Sequence, residues 1–235
     1  MRQASVPKGL IPIALAATFF LTICVIVPRA HAFRADHYAI KTSPVSAQLN
    51  QGSINKVLQD SDDFLWILTQ EGLHRYDGYE VIAFRADRDI EGSISHQVTS
   101  DALETNDGVL IVSTNGGGLN ILNKADLSFT ALRASPSASA SAPLSDNISK
   151  LFKARDGNVW VGYADGAGVS RFNPKLRTFK HFFLPIRRAD AAVESFAQLT
   201  DGTVLIAVAG VGVYRVVSDA LELIDIKNGY SPPTD

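Results

Sequence analysis

Asp156-Gly157-Asn158-Val159-Trp160-Val161-Gly162, followed by Gly168-Val169-Ser170-Arg171-Phe172, is the stretch on which the reading of this chain turns. An Asp-Gly pair ahead of an apolar run marks a tight hairpin. The run from Val159 to Gly162 carries no charge, as expected of a strand covered on both faces. Gly168 opens the next segment, where a missing side chain lets another backbone pass closely. Ile148 starts a β-rich segment before this core, and Thr178-Phe179-Lys180-His181-Phe182 follows it. Residues 148–183 therefore read as four short strands joined by turns.

The same order of turns returns three more times. Residues 54–85 contain Phe64-Leu65-Trp66-Ile67-Leu68-Thr69 and then Gly72-Leu73-His74-Arg75-Tyr76. Residues 98–132 contain Asp107-Gly108 before Val109–Thr114, then Gly118-Leu119. Residues 193–226 contain Asp201-Gly202 before Val204–Ala207, then Gly212-Val213-Tyr214-Arg215. The unit starts are 44, 50 and 45 residues apart, and four strands at that period is propeller-blade spacing. A flat blade cannot bury both faces alone, so neighbours must cover it. A β-sandwich would use similar hairpins, but the fourfold return of one order of turns argues against it. No long segment has helical periodicity. The fold class is all-β, with four four-stranded blade units. Trp66 and Trp160 are expected in blade cores, and Gly72, Gly118, Gly168, Gly212, Asp107, Asp156 and Asp201 as the structural marks of the repeat.

The N-terminus reads as an export signal. Arg2 and Lys8 precede an uncharged run from Gly9 to Val27, and Ala30-His31-Ala32 fits an A-x-A cleavage site before Phe33. An uncleaved membrane anchor is the alternative for residues 1–32, and both readings place Phe33 onward outside the cytoplasm. Cys24 is the single cysteine, and Ile23 is too large for a lipoprotein box. Residues 33–49 form a lead-in, residues 50–230 hold the four units, and residues 231–235 read as a truncated end. The chain carries 22 basic and 24 acidic residues, a net charge of −2, with no basic stripe for nucleic acid. Without residues 1–32, which contribute Arg2, Lys8 and Arg29, 19 basic residues face 24 acidic ones and the net charge is −5.

The pattern apolar-x-x-apolar, Asp-Gly-x-apolar-Trp-apolar-Gly, Gly-apolar-x-Arg-aromatic resembles the two-component regulator propeller repeat over about residues 50–225. Asp156 to Phe172 match it best and Trp66 with Gly72–Asp77 well; Ile111 and Leu205 replace the Trp in the other two units. The resemblance implies a seven-bladed periplasmic propeller acting as the sensor, or input, region of an inner-membrane receptor. In such receptors a small β-domain, a membrane helix and a cytoplasmic output follow, usually a histidine kinase and sometimes a diguanylate cyclase. This chain has no kinase or cyclase motif, so the resemblance implies no enzyme activity of its own. An exported propeller enzyme acting on polysaccharide, a lyase or hydrolase, and a non-catalytic adhesion or assembly propeller are the alternatives.

Residues for chemistry are sparse. His31, His37, His74, His96 and His181 have no metal-ligand spacing. Asp60, Asp62 and Asp63 are expected on a solvated turn. Asn115-Gly116-Gly117-Gly118 lacks the Lys-Ser/Thr of a phosphate loop and reads as a tight strand connection. Arg75, Arg171 and Arg215 share one repeat position and suggest a structural role, such as bonding carbonyls. No cofactor or metal is implied. If each blade runs from inner to outer strand, the connections between units share a face with the second-to-third strand turns. Loops on a rigid scaffold are where recognition concentrates. On that face Arg85, His96, Asn115, Asn147 and Asp165 are the candidate contacts for a small-molecule or glycan ligand. The resemblance also leaves room for a homodimer within a receptor, and no nucleic-acid partner is expected.

Overall fold

The computed structural model describes Leu49 and residues 53–224, apart from Ala138 and Arg187. The expected leader (1–32), the lead-in apart from Leu49, and residues 231–235 lie outside the described residues.

Four antiparallel four-stranded sheets follow one another along the chain. Blade 1 is β1 (Ile54–Gln59), β2 (Leu65–Thr69), β3 (Gly72–Tyr76) and β4 (Val81–Phe84). Blade 2 is β5 (Thr99–Glu104), β6 (Leu110–Thr114), β7 (Gly118–Asn123) and β8 (Ser128–Leu132). Blade 3 is β9 (Ile148–Lys153), β10 (Val159–Tyr163), β11 (Val169–Asn173) and β12 (Thr178–Phe182). Blade 4 is β13 (Val193–Gln198), β14 (Val204–Val208), β15 (Gly212–Val217) and β16 (Ala220–Leu223). Strands pair in chain order within each sheet, and the first strands β1, β5, β9 and β13 adjoin one another in turn. Each blade thus runs from an inner to an outer strand.

The turn between the first two strands is the same object four times. Asp60, Thr105, Ala154 and Leu199 each donate an amide to the carbonyl four or so residues on, and each accepts an amide three residues on. The donor of that second bond is Asp63, Gly108, Gly157 or Gly202, all at positive φ, between 67° and 93°. Glycine takes that conformation without strain. In the first turn aspartate stands there instead.

Gly72, Gly118 and Gly168 open the third strands because the end of the fourth strand crosses them. A Cβ there would lie 2.4, 2.4 and 2.3 Å from the carbonyl oxygens of Phe84, Leu132 and Phe182. Gly212 has only Leu223 Cδ1 nearby, at 3.4 Å.

Burial occurs between blades. Trp66, Leu68 and Leu73 pack on Ala102, Leu110 and Val112 of blade 2. Ile111 and Leu119 pack on Leu151, Val159 and Val161 of blade 3. Trp160, Val169 and Phe182 pack on Val204, Ile206 and Val208 of blade 4. Alternate residues of β6 and of β10 face opposite neighbours, so both faces are apolar and these segments lack the half-polar alternation of a solvated sheet.

A polar bond joins each pair of blades near the axis. All four first strands shift register at one residue: Asn55, Ser100, Ser149 and Glu194. Asn55 Nδ2 donates to Thr99 O at 2.7 Å, Ser100 Oγ to Ile148 O at 2.6 Å, and Ser149 Oγ to Val193 O at 2.7 Å. The bulge thus turns one side chain per blade onto the next blade's backbone. Glu194 breaks the series, since a carboxylate can only accept. Lys56 also pairs with Asp101, whose other oxygen takes the Leu151 amide at 2.9 Å, tying three blades together.

Asp62 and Asp63 are exposed on their turn as expected, but Asp60 corrects the expectation of a solvated aspartate. Asp60 is buried, and its carboxylate accepts the amides of Asp62 and Phe64 and the Trp66 indole at 3.1, 3.0 and 2.8 Å. Lys124 of blade 2 bridges Asp60, Asp62 and Glu104 at 3.3, 2.6 and 2.8 Å. Burial pushes the Asp60 carboxyl up, but the bonds from Trp66 and Phe64 and the Lys124 charge outweigh it and leave it below the ordinary carboxylate value. A carboxyl depressed in the fold stabilises above its unfolded value, and that gain is lost as pH falls through the folded one. Asp60→Asn is therefore expected to destabilise by about 1–3 kcal/mol at pH 7. In urea titrations at stepped pH, the gap to wild type should shrink below roughly pH 4. A gap that is constant from pH 7 to 3 would contradict the assignment.

At the shared arginine position the contacts are with side chains. Arg75 lies over the Phe64 ring at 4.4 Å, and Arg215 pairs with Glu222 at 3.0 Å.

Candidate functional site

The chain direction within the blades decides which loops meet. After the second strand of blades 2, 3 and 4, the amides of Asn115, Ala164 and Ala209 bond the carbonyls of Val98, Asn147 and Ala192, at 2.9, 2.8 and 2.8 Å. Each of those carbonyls immediately precedes the first strand of the same blade. Inter-blade connections and second-to-third strand turns are therefore stitched together on one face.

Across blades 2 and 3 this stitching makes a continuous polar strip. His96 lies against the Gly116 turn: a Cβ on Gly116 would be 3.4 Å from its Nε2. The Val98 amide donates to His96 Nδ1 at 3.2 Å, so a neutral ring carries its hydrogen on Nε2. Asn115 forms an isolated bridge with Asn147. Asn147 Nδ2 reaches Asp165 Oδ2 at 3.4 Å, and Ser145 Oγ donates to the same oxygen at 2.5 Å. Four of the five candidate residues, His96, Asn115, Asn147 and Asp165, thus come together. Asn115 is exposed, and the other three are half-buried.

The turn 115–118 is a tight connection. A Cβ on Gly117 would meet Ser95 Oγ at 2.4 Å and Thr114 Oγ1 at 2.6 Å. Gly116 and Gly118 donate amides to the Asp146 carbonyl, both at 3.0 Å.

Arg85 stands apart from the strip. It is exposed at the end of blade 1 and lines a cleft of about 540 Å³ with Phe84, Ile90, Glu91 and Phe129. A second cleft of about 400 Å³ is lined by the same connection, shares Asp87, Ser93 and Ile94 with the first, and includes Arg88, Ser95 and His96. The connection 85–97 thus lines both clefts, with Arg85 on the first and His96 on the second.

Sequence reasoning placed the connection 133–147 on this face without singling out Arg133 and Asp146. Arg133 bonds the Gly116 carbonyl at 3.2 Å and pairs with Asp146 at 3.4 Å, while Asp146 Oδ1 takes the Ala134 amide at 2.7 Å. Both sit in a Ser/Ala-rich connection with no motif, so only the fold reveals them. Among the described residues no group of three His, Cys, Asp or Glu side chains is placed to hold a metal ion. With Arg133 and Asp146, the strip presents amides, two carboxylates, one imidazole and a guanidinium: donors and acceptors suited to a hydroxyl-rich neutral ligand.

No family model matches the chain. No curated protein matches it either. Solved structures do match. The extracellular domain of a hybrid two component system from B. thetaiotaomicron has a TM-score of 0.69 at 18% identity, over 80% of this chain and 26% of that one. The extracellular domain of a one component system from the same organism gives 0.53 at 23% identity, over 69% and 22%. Virginiamycin B lyase from Staphylococcus aureus gives 0.55 at 10% identity, over 74% and 56%. The chain thus spans about a quarter of the first of these domains. At these identities the likeness establishes the fold, and the solved structures it reaches include those expected from the repeat pattern.

Proposed function

We propose that this chain is the ligand-recognising part of an extracytoplasmic sensor. Its four blades form part of a larger, seven-bladed propeller exported by the N-terminal signal. The observation that carries the reading is the polar strip from His96 through Asn115 and Asn147 to Asp165, built from loops of two blades on one face of a stacked scaffold. The likeness to extracellular domains of hybrid and one component systems supports the same reading. The ligand is a small molecule or glycan met by amides and charges along the strip, with Arg85 contributing from the flanking cleft. In this reading the chain is not an enzyme. It signals because ligand binds one arrangement of a receptor better than another. The output, a histidine kinase or diguanylate cyclase, belongs to a longer receptor that pairs as a homodimer.

Thermal denaturation of the intact chain against a panel of oligosaccharides and small metabolites tests this. A ligand that raises the midpoint is then titrated against variants. Asn115→Ala and Asp165→Ala are each expected to weaken binding about tenfold or more, in line with loss of a polar contact. Lys175→Ala, on the turn between β11 and β12 at the opposite face, is expected to leave it unchanged. The reverse pattern would overturn the choice of face.

A further inference from the structure

Blade 3 carries a buried polar chain that the recognition strip does not use. Tyr163 on β10 and Ser170 on β11 are fully buried, with Oη and Oγ 2.8 Å apart. His181 on β12 is in register with Ser170, and its Nδ1 lies 2.8 Å from Ser170 Oγ. Both ends of the chain finish on the same connection, 133–147. The Leu144 amide donates to Tyr163 Oη at 3.0 Å, and His181 Nε2 lies 3.2 Å from the Ser139 carbonyl oxygen.

Every hydrogen in this chain has a forced direction. The Ser139 carbonyl can only accept, so Nε2 carries the hydrogen and the neutral ring leaves Nδ1 bare. Ser170 therefore donates to Nδ1. With that hydrogen committed, Tyr163 donates to Ser170 Oγ, and Tyr163 Oη accepts from Leu144. Burial pushes the Tyr163 phenol up to about 12, so its hydrogen stays in place at physiological pH. Each donor has an acceptor.

An imidazolium cannot be fitted to the same positions. Its Nδ1–H points at Ser170 Oγ and displaces the Ser170 hydrogen. Ser170 can turn that hydrogen to Tyr163 Oη, but the Tyr163 hydrogen is then left over. In either arrangement one buried hydroxyl hydrogen has no acceptor among the described residues, a costly state. No compensating charge is at hand: the His181 ring lies near Phe179 and Phe183, with centroids 6.2 and 6.5 Å away. Neighbouring Lys180 pairs with Asp219, and Asp165 acts on the far end of the chain, at Tyr163. Among the described residues no carboxylate forms an ion pair with His181.

We propose that His181 is a proton-operated latch on the connection 133–147: neutral, it closes the chain of hydrogen bonds that pins residues 139–144 to blade 3; protonated, it releases them. That connection supplies Asn147 and Asp146 to the recognition strip, so the latch would regulate ligand access. This consequence rests on the proposed function, whereas the latch itself does not.

Hydrogen exchange of the intact chain, read by mass spectrometry without ligand, tests the latch separately. After correction for intrinsic rates, peptides covering 139–147 should exchange several-fold, up to about tenfold, faster at pH 5.5 than at pH 7.5, the ceiling that proton linkage sets for one imidazole over that interval. Peptides covering β6 should not change. His181→Gln, whose amide can accept from Ser170 and donate to Ser139, should keep protection at both pH values. Ser170→Ala should expose the segment at both. Equal protection of the wild-type segment at the two pH values would overturn the latch, as would an unchanged pH response in both variants.

Discussion

Trp66→Ala is expected to destabilise the protein more than any other single truncation, by about 3–5 kcal/mol for the ring alone. The ring is 1% exposed and stacks on Phe84 at 5.8 Å between centroids. Its indole is also one of the donors that hold the buried Asp60 carboxylate, at 2.8 Å. Trp160→Ala loses a comparable ring, packed on Phe182 at 5.2 Å, and among the described residues no carboxylate bonds its indole. Urea titration should therefore rank Trp66→Ala below Trp160→Ala by roughly 1–3 kcal/mol, the price of leaving a buried acceptor short. A loss under about 1 kcal/mol for either would contradict the inter-blade packing, because cavities of that size cost several times more.

The second large effect is expected at Gly168. Its φ is +123°, and an added Cβ would stand 2.3 Å from the Phe182 carbonyl oxygen, a backbone atom held by the β11–β12 ladder. Gly168→Ala should cost on the order of 2–4 kcal/mol, strain and displaced backbone together. Gly212→Ala is the internal control. Its φ is +140°, but the nearest atom is the side-chain Leu223 Cδ1 at 3.4 Å, so only the torsional part remains. The variant at 212 should be milder by at least about 1 kcal/mol. Equal losses would mean that the fourth strand does not crowd the glycine.

These contrasts show what a linear reading can and cannot reach. The Asp-Gly turns and the glycines opening the third strands were legible because a local conformation demands one residue type. Asp63 hid the first turn by taking the same positive φ without being glycine. The inter-blade bonds were illegible because the bulge position accepts any donor and carries no fixed residue: Asn55, Ser100, Ser149 and Glu194 share a place in the fold, and only the first three donate. Asp60 was misread because its partners Trp66 and Lys124 stand six and 64 positions away in sequence. The chain from Tyr163 through Ser170 to His181 depends on the register of three strands. On the proposed recognition face, the alternation of loops was enough to place His96, Asn115, Asn147 and Asp165 together. It could not tell that Arg85 belongs to a cleft beside the strip, since that depends on how the connection 85–97 folds against β8, where Gly92 takes the Phe129 amide at 2.7 Å.

Glu194 has a consequence for assembly. It stands where three blades place a donor, next to Leu205, Ala207 and Val213 on the half-buried apolar face of β14 and β15, with Leu223 51% exposed. The corresponding acceptor at the other end of the stack would be the Ile54 carbonyl. Two acceptors cannot bond, so the bond that joins the other blades cannot close blade 4 onto blade 1.

Recovery of the bound ligand is the most direct test of the recognition account. The ligand identified by thermal shift is incubated with the intact chain at saturating concentration, and both calorimetric titration and mass analysis of the ligand are recorded. The expected result is saturable binding that Asn115→Ala and Asp165→Ala weaken together, with the ligand recovered unchanged. Cleavage or elimination products formed at a rate that those substitutions abolish would contradict it, and would make the strip an active site instead.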